Sequence, residues 1–434
     1  MKYYSLNQQS PKVSFKEATI KGQAPDKGLY FPESLPRPDK SWITGINGMS
    51  NAAIAFDVIQ PYVGNDIPED ELRRIVEETV NFPSPLVQVN DHIFALELFH
   101  GPTLAFKDTG ARFMSRCLGY FAKERSEKIT VLVATSGDTG GAVANGFYEV
   151  DGVDVVILYP SGKVSSVQEK QLTALGKNIH ALEVNGTFDD CQRMVKQAFA
   201  DETLTQKKML TSANSINVAR WLPQQFYYFF AYKQWSQKDK PPVFSVPSGN
   251  FGNICAGLLA HISGLPAAHF IAACNVNDVV PRYLHSGNYE VKKALPTLSN
   301  AMDVGDPSNF VRVLQLFDNN FINLKKMLSG YTVTDAETKD TIKRVNQDTG
   351  YLPDPHGAVG YLSLERYLKQ HHDQKGIFLE TAHPVKFYDV VELVTGEKVP
   401  VPPAIESLLQ LPKQSIQIEA VYAALKEYLE KEDD

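Results

Sequence analysis

The sequence predicts an α/β protein of two three-layer α/β/α units with mostly parallel sheets, plus an N-terminal domain and a C-terminal helical tail. Three observations carry that expectation. From His92 onward, apolar runs alternate with amphipathic stretches, the rhythm of right-handed β–α–β crossovers. The runs are continuous and β-branched, as in ITVLVAT (129–135), which marks strands buried on both faces. The charged, proline-marked stretch SQKDKPP (236–242) interrupts the rhythm before it restarts.

Residues 1–92 form the expected N-terminal domain, with turn residues crowding GLYFPESLPRP (28–38). Helices are expected near 50–60 and 68–80, where Pro68 precedes Glu69, Asp70 and Glu71 as the helix dipole prefers. In the first unit, 93–240, IFALELF (93–99) is a strand that ends at HGPTLAFKD (100–108), with Asp108 capping a helix over 109–124. ITVLVAT then leads through SGDTGG (136–141) into a helix. VDVVILYPSG (153–162) and IHALEVNG (179–186) are further strands, with a helix over 164–176 between them. Thr187 and Asp190 predict a capping box, and one long aromatic helix is expected over 218–235. In the second unit, 241–395, the strands are VFSVPS (243–248), HFIAACN (269–275) and GIFLETAHP (376–384). A helix, ICAGLLAHISG, follows the first of these, and helices alternate with loops from about 280 to 375. The tail, 396–434, carries the linker VPVPPA and a helix, IEAVYAALKEYLE.

At 434 residues the chain is long enough for two or three cores. Its apolar share of 43% and charged share of 21% are those of a soluble globular protein. A net charge of −7, with no basic cluster interleaved with aromatics, argues against nucleic acid as a partner. Cys117, Cys191, Cys255 and Cys274 are scattered, without CxxC or a histidine at ligand spacing. Reduced, mostly buried thiols and no metal site are therefore expected. The first residues lack the apolar core of a signal peptide, and no apolar run approaches membrane-spanning length. The expectation is a cytoplasmic chain with no membrane partner. The pair His371–His372 reads as a solvated helix end.

Polar loops fall at the C-terminal ends of the expected parallel strands, where open α/β sheets bind ligands. In HGPTLAFKD, Lys107 stands at a helix start, where the local field favours a neutral amine by about 0.3–1 kcal/mol. A neutral amine attacks an aldehyde and holds it as an imine. TSGDTGG (135–141) offers Ser136, Thr139 and helix-start amides to a carboxylate. PSGNFGN (247–253) drops side chains at Gly249 and Gly252, so that backbone amides converge on an anion. It contains no Lys or Arg and fits neither GxGxxG nor the P-loop pattern. NSINVAR (214–220) delivers Arg220, whose fork suits a phosphate or carboxylate. ETAHPVKF (380–387) brings Thr381, His383 and Lys386 off a buried strand. Each loop alone also reads as an ordinary turn or cap; four in order after a helix-start lysine form a pattern.

These stretches resemble the fold-type II pyridoxal-phosphate enzymes of the tryptophan synthase β family and, within it, the threonine synthase family. GLYFPESLP, HGPTLAFKDTGARF, ATSGDTGGAVA, NSINVAR, PSGNFGN and ETAHPVKF carry the resemblance, which runs from about residue 5 to 390 and fits the long-N-terminus branch. It implies pyridoxal phosphate as cofactor, held covalently by Lys107, which also serves as the catalytic base. It implies that Ser248, Gly249, Asn250, Phe251, Gly252 and Asn253 hold the cofactor phosphate and that Thr381 faces the pyridine nitrogen. Ser136, Gly137, Asp138 and Thr139 then take the substrate carboxylate, with Asn217, Arg220, His383 and Lys386 as further substrate contacts. Many fold-type II enzymes carry asparagine where Asp138 stands. An aspartate facing a phenolic oxygen and a carboxylate repels both unless it is protonated or turned away. The implied reaction is O-phospho-L-homoserine plus water to L-threonine plus phosphate, on a small-molecule substrate, by a monomer or homodimer. A threonine or serine dehydratase of the same fold leaves Arg220 and Lys386 unexplained. A non-catalytic phospho-ligand binder has no use for Lys107.

Overall fold

The computed structural model describes residues 1–431. The chain divides into two compact units, each discontinuous in sequence. One comprises Met1, Phe31–Phe106 and Trp221–Pro400; the other comprises Lys2–Tyr30, Lys107–Arg220 and the chain from Val401. These units do not coincide with consecutive segments divided at 92, 240 and 395. The strand Ile93–Glu97, expected to open the first α/β unit, pairs in parallel with Gly376–Glu380, Ile93 opposite Gly376. A buried apolar strand is satisfied by a partner of matching burial, wherever in the chain that partner lies.

In the unit containing Trp221–Pro400, the sheet runs Leu328–Thr332, His269–Cys274, Val243–Pro247, Gly376–Glu380, Ile93–Glu97 and Leu86–Gln88. All pairings are parallel except the last, which is antiparallel. Helices Asp335–Thr349 and Pro355–Leu368 cover one face through Val345, Tyr361, Leu364 and Leu368, against Val243, Ile271 and Phe378. The other face meets Gln225–Gln234 and Gly252–Ile262, where Tyr228 packs against Phe244 and Phe270. The strand Leu328–Thr332 was not expected; it lies at the sheet edge with only Leu328 buried, and its Ser329–Gly330 pair interrupts any apolar run.

In the unit containing Lys107–Arg220, the all-parallel sheet runs Ile416–Glu419, Ile179–Asn185, Val153–Pro160, Ile129–Ala134 and Met209–Ser212. All of Ile129–Ala134 is buried, as its composition requires. Helix Phe188–Ala200 covers one face, opened by the expected capping box between Thr187 and Asp190. Helices Lys107–Ala122 and Asp138–Phe147 lie on the other.

Three helix expectations change. The first helix starts at Lys107, so Asp108 sits buried in the first turn rather than at the cap. The aromatic stretch breaks into Val218–Trp221, a 3-10 turn Leu222–Gln224 and Gln225–Gln234, because Pro223 has no N–H to give the ladder. The tail is more than one helix. Pro403–Gln410 is helical, Ile416–Glu419 becomes an edge strand beside Ile179–Asn185, and only Tyr422–Lys431 continues as helix, burying Leu425 and Leu429. The alternation in SIQIE is a strand period, and it prevails once an unpaired strand edge is within reach.

The four cysteines are buried and form no disulfide. His371 stacks on Tyr367 at 4.0 Å, so only His372 is an exposed face. Among the described residues, no helix is long and apolar enough to cross a membrane.

Candidate functional site

Lys107 is the first residue of its helix, and its Nζ donates to Thr139 Oγ1 at 2.9 Å. Thr139 lies in the first turn of Asp138–Phe147. The loop before it is folded around Thr135, whose Oγ1 accepts from Gly137 N at 3.0 Å and Gly140 N at 2.9 Å. Gly137 has φ 139°, a region closed to L side chains, and a Cβ there would fall 2.5 Å from the Gln168 side chain. Gln168 Nε2 donates to Asp138 Oδ1 at 2.9 Å, with both side chains buried. One carboxylate oxygen of Asp138 is thus tied to helix Ser166–Thr173. Sequence reasoning missed Gln168; its only legible signal was the S-x-x-Q cap formed with Ser165.

Two expected substrate contacts in this unit are engaged in holding the fold. Asn217 is fully buried. Its Nδ2 donates to Thr19 O at 2.8 Å and Ser212 O at 3.2 Å, and its Oδ1 accepts from Ala219 N. An amide bonded on both sides braces the 212–219 turn. Arg220 is buried, with Nη1 donating to Ala213 O at 2.8 Å. Its backbone meets Gly110, where a Cβ would fall 2.8 Å from Arg220 O.

In the other unit, the two loops HGPTLAF and ETAHPVKF are laced together. Leu98 N donates to Glu380 O, Phe106 N to Thr381 O, and His383 N to Leu104 O, all at 2.9–3.0 Å. Lys386 is fully buried and its Nζ donates to Thr103 O at 2.8 Å. His383 Nδ1 accepts from Val385 N, and burial holds its pKa down at about 4. Thr381 follows Glu380, whose carboxyl group is pushed well above the usual range by full burial and then by Asp354. Asp354 in turn pairs with His356 Nδ1 at 2.7 Å, and His356 Nε2 accepts from Ala301 N at 3.2 Å.

Ala301 leads to the phosphate-type loop. A Cβ on Gly249 would lie 2.7 Å from both Ala301 O and Met302 Cα, so glycine is required by close approach. Phe251 adopts a left-handed φ of 61° and opens the eleven-residue helix Gly252–Ile262. Ser248 N donates to Ala273 O and its Oγ to Val246 O. The Asn253 side chain likewise bridges Pro247 O and Ile254 N. Backbone N–H groups from Gly249 to Gly252, gathered at a helix N-terminus with glycines on either side, fit a phosphate dianion.

Comparison with known proteins agrees with this chemistry. Residues 76–379 match the family of pyridoxal-phosphate-dependent enzymes, 2–80 the threonine synthase N terminus, and 357–429 the threonine synthase C-terminal family. The chain is 45% identical to threonine synthase of Haemophilus influenzae, covering 99% of this chain and 100% of that one. The chain belongs to the threonine synthase family. Pyridoxal phosphate is the cofactor of this threonine synthase family member. Its fold matches the crystal structure of the Escherichia coli threonine synthase with TM-score 0.92, at 42% identity over the whole of both chains. The pyridoxal-phosphate-bound threonine synthase of Brucella melitensis gives 0.93 at 36% identity, over 99% of each.

Proposed function

We infer that this threonine synthase family member converts O-phospho-L-homoserine and water to L-threonine and phosphate. When bound, pyridoxal phosphate supplies the electron sink that acidifies the substrate's α- and β-hydrogens. The observation that carries the assignment of roles is the Lys107–Thr139 contact: a helix-start amine resting on a carboxylate-type loop. Lys107 holds the cofactor and then moves the proton at Cα. Ser136, Gly137 and Thr139 receive the substrate carboxylate, each charge-assisted hydrogen bond contributing about 1.5–3 kcal/mol. Asp138 accepts from Gln168 through Oδ1, which supports its carboxylate being held toward that helix. The amides from Gly249 to Gly252 carry the cofactor phosphate, and Thr381 offers a hydroxyl to the pyridine nitrogen, leaving it largely unprotonated. Arg220 and Lys386 are the basic groups assigned to the substrate phosphate, with His383 as a further substrate contact. The experiment is phosphate release from O-phosphohomoserine with the organic product identified. L-threonine is expected, whereas a 2-oxo acid would make the chain a dehydratase.

A further inference from the structure

We propose that Asn309 and Arg312 are positioning residues for the cofactor phosphate, acting through Asn250 from behind the loop. This rests on reading Ser248–Asn253 as the phosphate loop. Nothing in that loop is charged, and no motif in the sequence points to residues 307–312. Yet Asn309 is fully buried, and both its backbone N and its Nδ2 donate to Asn250 O, at 3.3 and 3.1 Å. Ser308 N donates to Asn250 Oδ1 at 2.6 Å. Both oxygens of Asn250 therefore face the 308–309 turn. In a trans peptide the carbonyl and the following N–H point in opposite directions. Anchoring Asn250 O thus aims Phe251 N–H the other way, to the side where the loop takes its anion.

Arg312 sets the direction of the Asn309 amide. It is fully buried, and its Nη1 donates to Asn309 Oδ1 at 2.8 Å. With Oδ1 committed to a cation, Nδ2 is left to Asn250. The guanidinium rests 4.3 Å from the Trp221 ring, which holds its plane. It also bears on the first turn of Gly252–Ile262: burial pushes the Cys255 thiol up to about 12, and the Arg312 charge opposes that shift.

The test titrates cofactor-depleted full-length protein with pyridoxal phosphate and with pyridoxal, which lacks the phosphate. Asn309→Ala is expected to weaken pyridoxal phosphate on the order of tenfold while moving pyridoxal by less than about threefold. Arg312→Met should match it, and the double variant should be no weaker than Asn309→Ala alone, since one residue acts through the other. Equal weakening of both ligands, or full additivity in the double variant, overturns the proposal. If Arg312→Met does not fold, Arg312→Lys takes its place in the cycle under the same criterion. Gly249→Val tests the loop itself. If that variant keeps the preference for the phosphorylated ligand, the phosphate-loop reading fails. If only the Asn309 variants keep it, the reading stands and the positioning role falls.

Discussion

Lys107 Nζ and Thr139 Oγ1 stand 2.9 Å apart, so the helix-start amine is held by the loop assigned to the substrate carboxylate. Two helix N-termini, those of Lys107–Ala122 and Asp138–Phe147, meet at this hydrogen bond. Lys107→Ala is expected to lower turnover by about a thousandfold or more, the loss typical of removing a placed general base that also binds the cofactor. It should retain cofactor through the Gly249–Gly252 amides. Steady-state phosphate release checks the first point and cofactor content after gel filtration the second. Ordinary multiple turnover in the variant would remove Lys107 from its role.

Thr381 is expected to tune the cofactor and leave the bond-making to other groups. Thr381→Val should keep the visible cofactor absorbance and lower kcat, whereas Thr381→Asp should protonate the ring nitrogen and change the spectrum with substrate. Stopped-flow spectra of both variants decide the matter. Identical spectra in wild type and both variants would place Thr381 away from the ring.

Arg220 carries a sharper contrast, because its Nη1 already has a use on Ala213 O. If the guanidinium also grips the substrate phosphate, Arg220→Leu should cost on the order of a hundredfold in kcat/KM, two charge-assisted bonds being lost. L-threonine, which has no phosphate, should bind nearly as before. Paired absorbance titrations with the two ligands separate the outcomes. Equal losses for both would make Arg220 a brace of the 213–220 turn alone.

His269 makes stability depend on pH. Burial inside its strand drives its pKa down to about 4, with Tyr367 stacked on the ring at 5.0 Å. In the unfolded chain the same imidazole takes its proton near 6.5. Between those values the unfolded state binds more protons, so the contribution is complete above about 6.5 and is lost as pH falls toward 4. His383, also held down at about 4 by burial, acts in the same direction. Each such group removes at most about 1.4 kcal/mol per pH unit inside that window. Denaturant melts from pH 7 to 5 should therefore show declining stability, with a shallower decline for His269→Gln. Parallel slopes in wild type and variant would count against this.

The loops assigned to the site were legible where their residue types are local requirements. Gly137 must adopt a φ that side chains forbid, and Lys107 must open a helix. Each of these constraints acts within a few residues of chain, so it leaves a mark in the sequence. The Gln168–Asp138 and Asn309–Asn250 contacts left none, since these partners lie 30 and 59 positions apart and any buried polar side chain looks alike in one dimension.

The sequence by itself determined the strands ITVLVAT, VDVVILYP and HFIAAC, the Thr187–Asp190 cap and the order of the ligand loops, because burial on both faces and helix-end geometry are written in composition and short spacing. Only the tertiary structure decided that IFALE joins GIFLE, that SIQIE becomes an edge strand, and that Asn217 braces a turn. Those outcomes depend on which distant partner satisfies a given backbone edge or amide. A strand's pattern records that it must be paired and buried; it does not record with whom.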